Sequence, residues 1–362
     1  MIQKRLAATM RSLLPGGVTE PVDMAVEPNQ ERFAYDFELP VIELEKKINE
    51  LMARVDSGGG DVAAKIERLE RRRDRLLRKV SSGLTAYQKV RLARHPARPH
   101  PMDYVAAVFT DFVELHGDRR FGDDRAVVTG MGKLDGRKVV VVAMQKGRET
   151  REKVAANFGM PQPEGYRKAL HKMRLAEKFH IPVVCLIDTP GAACAVAAEE
   201  RGQAMAIAEN IYTMAGLAVP IAVVVTGEGC SGGMLGLGVG DRVAMLENAY
   251  CSVISPEGCA AILWKDGGRA PEAAGALKLT AQDLLARGLI DTIIPEPLGG
   301  AHRNPQQPLR AVEQYLTDTM AELCEIPVDD LLEQRYDRYR NMGAYVTADS
   351  PGPQPDAEPP AP

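Results

Sequence analysis

The segment Pro220–Glu247, PIAVVVTGEGCSGGMLGLGVGDRVAMLE, constrains the fold of this chain more than any other. It opens on a β-branched apolar run, Ile221–Val225, of the kind that forms a strand covered on both faces. The run gives way to Thr226-Gly227-Glu228-Gly229-Cys230-Ser231-Gly232-Gly233. Four glycines in seven residues predict an irregular loop whose backbone N–H groups approach a ligand. A short apolar helix over 233–239 and a second strand over 243–246 follow. Free amides at a strand–loop–helix junction suit negative charge.

Several chemistries fit this loop. Gly227, Gly229 and Gly232 spell G-x-G-x-x-G, with Glu247 where a dinucleotide site wants its ribose acid. The helix that should follow is too short and is interrupted by Gly236, Gly238 and Gly240. Gly229–Gly233 also spells G-x-S-x-G around Ser231, the nucleophile elbow of hydrolases, with Asp291 and His302 following in order. A third reading is an oxyanion-stabilising loop with no nucleophile. A fourth is a tight packing turn. The loop by itself leaves the choice open.

The chain of 362 residues suffices for one large or two ordinary domains with a substantial core. A net charge of −4 gives no argument for nucleic acid or membrane as partner. The six cysteines form no C-x-x-C pair, which suits reduced thiols in a cytoplasmic enzyme and points to no zinc site within this chain. No run of about eighteen apolar residues exists to span a membrane. Met1–Leu14 is basic in the manner of a transit peptide, although residues 1–32 read better as a disordered tail. The Pro- and acid-rich end is expected to be disordered too.

Between these tails the pattern is regular. Pro40–Leu51 reads as a helix, Gly58-Gly59-Gly60 as a break, and Asp61 as the cap of a second helix, giving an antiparallel hairpin. Leu92–Pro99 is a proline-punctuated connection, and Met102–His116 an amphipathic helix. Strands over 127–134 and 138–144 are joined by Asp135-Gly136, a hairpin signal. The polar loop Gln145–Thr150 offers Lys146 and Arg148 to phosphates or to solvent. A helix over 165–180, a strand over 182–187, a long Ala-rich helix over 192–215 and the strand at 220–225 then set a βαβ rhythm. That rhythm brings the turns 188–193 and 226–233 to one sheet edge, around one pocket. Further on, 280–286 reads as a capped helix, 288–295 as a strand and 309–340 as helical.

The ordered motifs resemble a known family. DFELP at Asp36, LARHPARP at Leu92, LDGR at Leu134, QKGRE at Gln145 and NFGMPQPEGYRKAL at Asn157 come first. IDTPGA at Ile187, EERGQ at Glu199, SVISPEGCAAILWK at Ser252 and IIPEPLGGAH at Ile293 complete the set. Over about residues 33–343 the chain resembles the carboxyltransferase alpha subunit of multi-subunit acetyl-CoA carboxylase. The resemblance implies an α/β fold of the ClpP/crotonase type, a spiral of ββα units. A helical region over 33–95, a core over 96–300 and C-terminal helices over 301–343 would lie between tails at 1–32 and 344–362.

The resemblance further implies an α2β2 assembly with a beta subunit that carries a zinc ribbon and much of the acyl-CoA site. It implies a biotin carboxyl carrier protein and a biotin carboxylase as partners. Carboxyl transfer from carboxybiotin to acetyl-CoA would give malonyl-CoA for fatty acid synthesis. By motif match, Gly232, Gly233 and Met234 would supply oxyanion donors, with Gly191, Ala192 and Ala193 opposite. Gly229, Cys230, Ser231 and Cys194 would line the biotin side, and Lys146 and Arg148 would meet a phosphate or carboxylate. Biotin itself would be the base, leaving His95 and His302 as packing residues.

The chain departs from the pattern at Ala193-Cys194-Ala195 and Ala197, where Tyr-Pro-Gly and a further glycine are usual, at Cys230 in place of glycine, and at Met144 in place of histidine. Lost glycines are expected to strain or redirect the turn. The alternatives are a biotin-independent crotonase-like acyl-CoA hydrolase or isomerase, and a weakly active paralogous subunit kept for assembly.

Overall fold

The computed structural model describes residues 33–53 and 60–343, without the side chains of residues 60 and 61. The expected tails and the Gly58-Gly59 break lie outside the described residues, as does the side chain of the expected cap Asp61. The chain divides into two units, Met1–Ala34, of which only Phe33 and Ala34 are described, and Tyr35–Pro362, which holds every element named below.

The helices α1 (Leu39–Met52) and α2 (Gly60–Ser82) open this unit. Val41 at the start of α1 and Leu77 near the end of α2 line one small cavity, so the pair runs antiparallel, as the pattern predicts. There follow α3 (Ala86–Ala93), α4 (Pro101–Val108), β1 (Thr110–Glu114), β2 (Val127–Leu134), β3 (Arg137–Met144), α5 (Thr150–Ala155) and α6 (Pro163–Lys178). Next come β4 (Val183–Thr189), α7 (Val196–Glu200), α8 (Gln203–Ala215), β5 (Ile221–Cys230), α9 (Ser231–Leu235), β6 (Arg242–Leu246) and β7 (Tyr250–Ser252). The chain continues through α10 (Pro256–Trp264), α11 (Ala270–Leu277), α12 (Ala281–Ala286), β8 (Thr292–Ile294), α13 (Gln306–Leu323) and α14 (Val328–Arg340).

The strands form one sheet in the order β1-β2-β3-β4-β5-β6-β8, with β7 pairing off β5. The β1, β2 and β3 pairings are antiparallel, and the rest are parallel. Positive φ at Asp135 and Gly136 closes the β2–β3 turn as the Asp-Gly pair requires. Every residue of β4 and β5 is buried, which is why Val183–Ile187 and Ile221–Val225 read as apolar runs.

Four sequence expectations change. The helix predicted to His116 stops at Val108, and Thr110–Glu114 becomes an edge strand on β2, from which Phe112 packs against the core. The long helix predicted over 192–215 is two helices. Gly202, left-handed at φ 82°, separates them, and 192–195 lie outside both helices. The helical stretch predicted to Arg340 breaks at Pro327.

The fourth change concerns the glycine loop. β5 runs through Thr226–Cys230 instead of dissolving, and the short helix starts at Ser231. Its glycines serve close approach within a strand. A Cβ at Gly227 would meet Asp188 Oδ1 at 2.4 Å, and one at Gly229 would meet Cys251 Sγ at 2.5 Å. The strand also bends. It pairs with β6 over Ala222–Val225 and with β7 over Glu228–Cys230. Against β4 the register steps from Ile187↔Val225 to Thr189↔Gly229, so three residues of β5 face one of β4.

The C-terminal helix is locked onto this core. Buried Arg335 pairs bidentately with Asp241, at 2.7 and 2.8 Å, and donates to the carbonyls of Met214, Leu217 and Val219. Arg98, in the connection read as a boundary, is equally buried. It donates to Thr226 O at the bend of β5 and grips Glu296 with both terminal nitrogens.

Candidate active site

The bend of β5 delivers Ser231–Leu235 against the turn that follows β4. The two turns touch through backbone. A Cβ at Gly233 would lie 2.7 Å from the carbonyl carbon of Gly191, 2.8 Å from its Cα and 2.9 Å from the nitrogen of Ala192. Gly191 has φ 144°, open to glycine and strained for other residues. Its amide donates to Thr189 Oγ1, and that hydroxyl donates to Gly159 O at 2.6 Å.

On the other turn, the first residues of α9 have no acceptor within their own helix. Among the described residues, no hydrogen bond beyond the helix engages the amides of Gly232, Gly233 or Met234. Tyr166, buried on α6, donates to the carbonyl of Gly233 at 3.3 Å and lies against Gly236. Met234 Sδ sits 3.1 Å from Cys251 Sγ.

The Ala193–Ala197 departure does not strain the chain, because none of these residues has positive φ. Cys230, at φ −104°, is equally relaxed, and its buried thiol lies 3.4 Å from Tyr250 OH. The Ala193 amide donates to Pro161 O at 3.0 Å, and Gln203 Nε2 reaches both Pro161 O and Ala193 O. Ala193 is therefore fixed in place and its N–H is engaged. Cys194 is exposed beside it. Ser231 is exposed with φ 52°, a conformation that costs a non-glycine residue.

The hydrolase triad does not assemble. His302 Nε2 contacts Glu38 Oε1 at 2.8 Å, and its ring stacks on His95 at 3.9 Å between centroids. Asp291 accepts from Val243 N and Arg338. The dinucleotide reading fails as well, because the helix after the loop has five residues and Glu247 accepts from Glu296 N.

The two cations of the QKGRE loop separate. Arg148 stays at the surface, paired with Asp103. Lys146 turns inward, 2.6 Å from both Asp188 Oδ1 and Glu228 Oε1, with only 16% of its side chain exposed. Glu228 collects more: Arg94 Nε at 2.7 Å and Tyr250 OH at 2.6 Å donate to its other oxygen. Burial alone would raise this carboxyl, but Lys146 and Arg94 outweigh it and hold it at about 2. No spacing in the sequence points to Arg94, Asp188 or Tyr250. They converge from three distant elements, and only the inward-facing Glu between two tight glycines hints at the centre.

A strand β5 that bends across two pairings and sets its own turn against the turn after β4 belongs to a crotonase-like fold. The fold is similar to that of the geranyl-CoA carboxylase beta subunit of P. aeruginosa, with a TM-score of 0.50 and 17% identity, over 67% of this chain and 46% of that one. The family model described as acetyl co-enzyme A carboxylase carboxyltransferase-like matches residues 34–343, and the chain belongs to that family. It is 54% identical over 310 residues to the acetyl-coenzyme A carboxylase carboxyl transferase subunit alpha of Thioalkalivibrio sulfidiphilus, covering 86% of this chain and 97% of the relative. The same-named subunit of Geobacter metallireducens is 52% identical over 317 residues, with 87% and 99% covered.

Proposed function

We propose that this chain, as the alpha subunit of an acetyl-CoA carboxylase, carries the biotin side of carboxyl transfer at the Gly191–Gly233 apposition. In this chemistry carboxybiotin, borne on a carrier protein, supplies the carboxyl group and acquires negative charge on its ureido oxygen as that group leaves. Such charge calls for preorganised N–H donors in a water-poor place, and for no side-chain nucleophile. The amides of Gly232 and Gly233, in the first turn of α9, fit that demand, with Met234 next to them in the turn. Gly191 and Ala192 close the opposite side, while Gly229, Cys230, Ser231 and Cys194 border it.

The observation that carries the reading is the backbone contact at Gly233, which excludes any side chain. Three residues play lesser parts. Ala193 shapes the turn instead of donating, since its amide already serves Pro161. Lys146 serves inside the protein, and Arg148 keeps a surface place from which a carboxylate or phosphate is reachable.

The partner's share of the chemistry is a beta subunit with its own zinc site and most of the acyl-CoA contacts, in an α2β2 assembly. A biotin carboxyl carrier protein and a biotin carboxylase complete the system, in the cytoplasm. Among the described residues no helix is long and apolar enough to cross a membrane. Co-purification with the beta subunit, followed by carboxyl exchange between malonyl-CoA and free biotin, tests the reading. Exchange that needs both subunits supports it. Thioester hydrolysis by this chain alone would favour the crotonase-like hydrolase instead.

A further inference from the structure

On its β4 side, the segment of β5 nearest the site lacks ordinary ladder support. Between the pairs Ile187↔Val225 and Thr189↔Gly229, Thr226, Gly227 and Glu228 stand opposite Asp188 alone. Side chains must hold the path that the ladder leaves free. Glu228 has the means. Its amide donates to Asp188 Oδ1 at 2.8 Å, and its carboxylate takes Lys146 on one oxygen and Arg94 with Tyr250 on the other. Tyr250 also meets the thiol of Cys230, the last residue of the strand. Lys146 follows β3, Tyr250 opens β7 and Arg94 caps α3, so one carboxylate ties three elements to the bend, and the Glu228 amide ties a fourth through Asp188 of β4. Lys146 bridges Asp188 and Glu228, Arg94 bridges Glu228 and Glu257, and the Glu228 side chain is only 7% exposed, four positions ahead of Gly232.

We propose that Glu228 is a positioning residue for carboxyl transfer, fixing through Lys146, Arg94 and Tyr250 the path of the Gly232–Met234 amides. The proposal rests on the reading that those amides face the reacting oxygen. Glu228 itself touches no reacting atom. Its effect is on where the donors stand, and a displacement of about 1 Å in such a group can cost a hundredfold in rate.

The test uses the complex of this chain with its beta subunit and the exchange of carboxyl between malonyl-CoA and free biotin. Glu228→Gln leaves the two cations facing an amide and can fail to fold. Tyr250→Phe keeps every charge and removes one donor from the carboxylate. Glu228→Asp keeps the charge and withdraws it by one methylene. Tyr250→Phe is expected to lower kcat about tenfold and Glu228→Asp about a hundredfold, with KM for malonyl-CoA within about twofold. The melting temperature of Tyr250→Phe should stay within about 4 °C of the parent.

Unchanged kcat in both folded variants overturns the proposal. So does a loss confined to KM, or to the melting temperature with full turnover per folded complex. Gly233→Val, run alongside, separates the layers: an active Gly233→Val complex removes the site reading itself. An inactive one beside a fully active Tyr250→Phe and Glu228→Asp removes only the positioning role.

Discussion

Gly233 and Gly191 meet backbone to backbone, so closely that a Cβ on Gly233 would stand 2.7 Å from the Gly191 carbonyl carbon. The two glycines are needed for different reasons. Gly233 is excluded from carrying a side chain by contact. Gly191 has no atom within 4 Å of its absent Cβ, but holds φ at 144°.

Gly191→Ala therefore tests conformation alone. Forcing a side chain into this φ costs on the order of 1–3 kcal/mol. Urea denaturation of the purified chain should show that loss in the midpoint with the slope unchanged. An unaltered midpoint would mean that Gly191 is free to take another path.

Ser231 lies at a strand-to-helix junction with φ 52°, yet Asp291 and His302, the triad partners that its motif calls for, are engaged elsewhere. Ser231→Ala is expected to keep carboxyl exchange within roughly tenfold of the parent, since a hydroxyl there can at most tune a neighbouring donor. Serine-directed covalent reagents should leave the protein unlabelled. Labelling together with a loss of about a thousandfold would reinstate the nucleophile.

Glu228 links the site to pH. Its carboxyl titrates at about 2 in the folded protein against an ordinary value of 4.5. The folded pKa is depressed, so its contribution to stability is complete above the ordinary value and disappears as pH falls towards about 2. Unfolding free energy measured from pH 5 down to pH 2 should fall less steeply in a folded Glu228→Gln variant than in the parent. Equal slopes would mean that the carboxylate gains nothing from Lys146 and Arg94.

What the sequence reveals and conceals follows from range. The Asp135-Gly136 hairpin and the buried runs of β4 and β5 are local patterns, and they appear as read. The family motifs make the crotonase-like fold and both turns legible. Glycines 227 and 229 pointed to a loop because glycine usually breaks strands. Here they remain in one because Asp188, Cys251 and Met234 crowd them from outside. The same blindness to partners hid the Glu228 cluster, whose Arg94 lies 134 positions away. It also made Lys146 look like a ligand for phosphate when its charge is spent on two buried acids.

The chain alone should bind no stoichiometric zinc and catalyse no exchange. Among the described residues, Glu38, His95 and His302 are the one group of possible ligands gathered closely enough for an ion. The two imidazoles stack with planes 24° apart, so their in-plane lone pairs do not converge on a common point. Metal analysis of the purified subunit checks the first expectation, and a single-subunit assay checks the second. One zinc per chain, or full exchange without a partner, would contradict the division of labour between subunits.

The central claim is that backbone amides at the end of β5, and not side chains, do the work of this subunit. Its most direct test is carboxyl exchange between malonyl-CoA and free biotin by complexes carrying Met234→Leu or Gly233→Val. Met234→Leu keeps volume and amide, and should change turnover by less than about threefold. Gly233→Val drives a branched side chain into Gly191, and should lower turnover by about a hundred- to thousandfold while assembly with the beta subunit persists. Equal damage from the two substitutions, or an active Gly233→Val complex, would contradict the account.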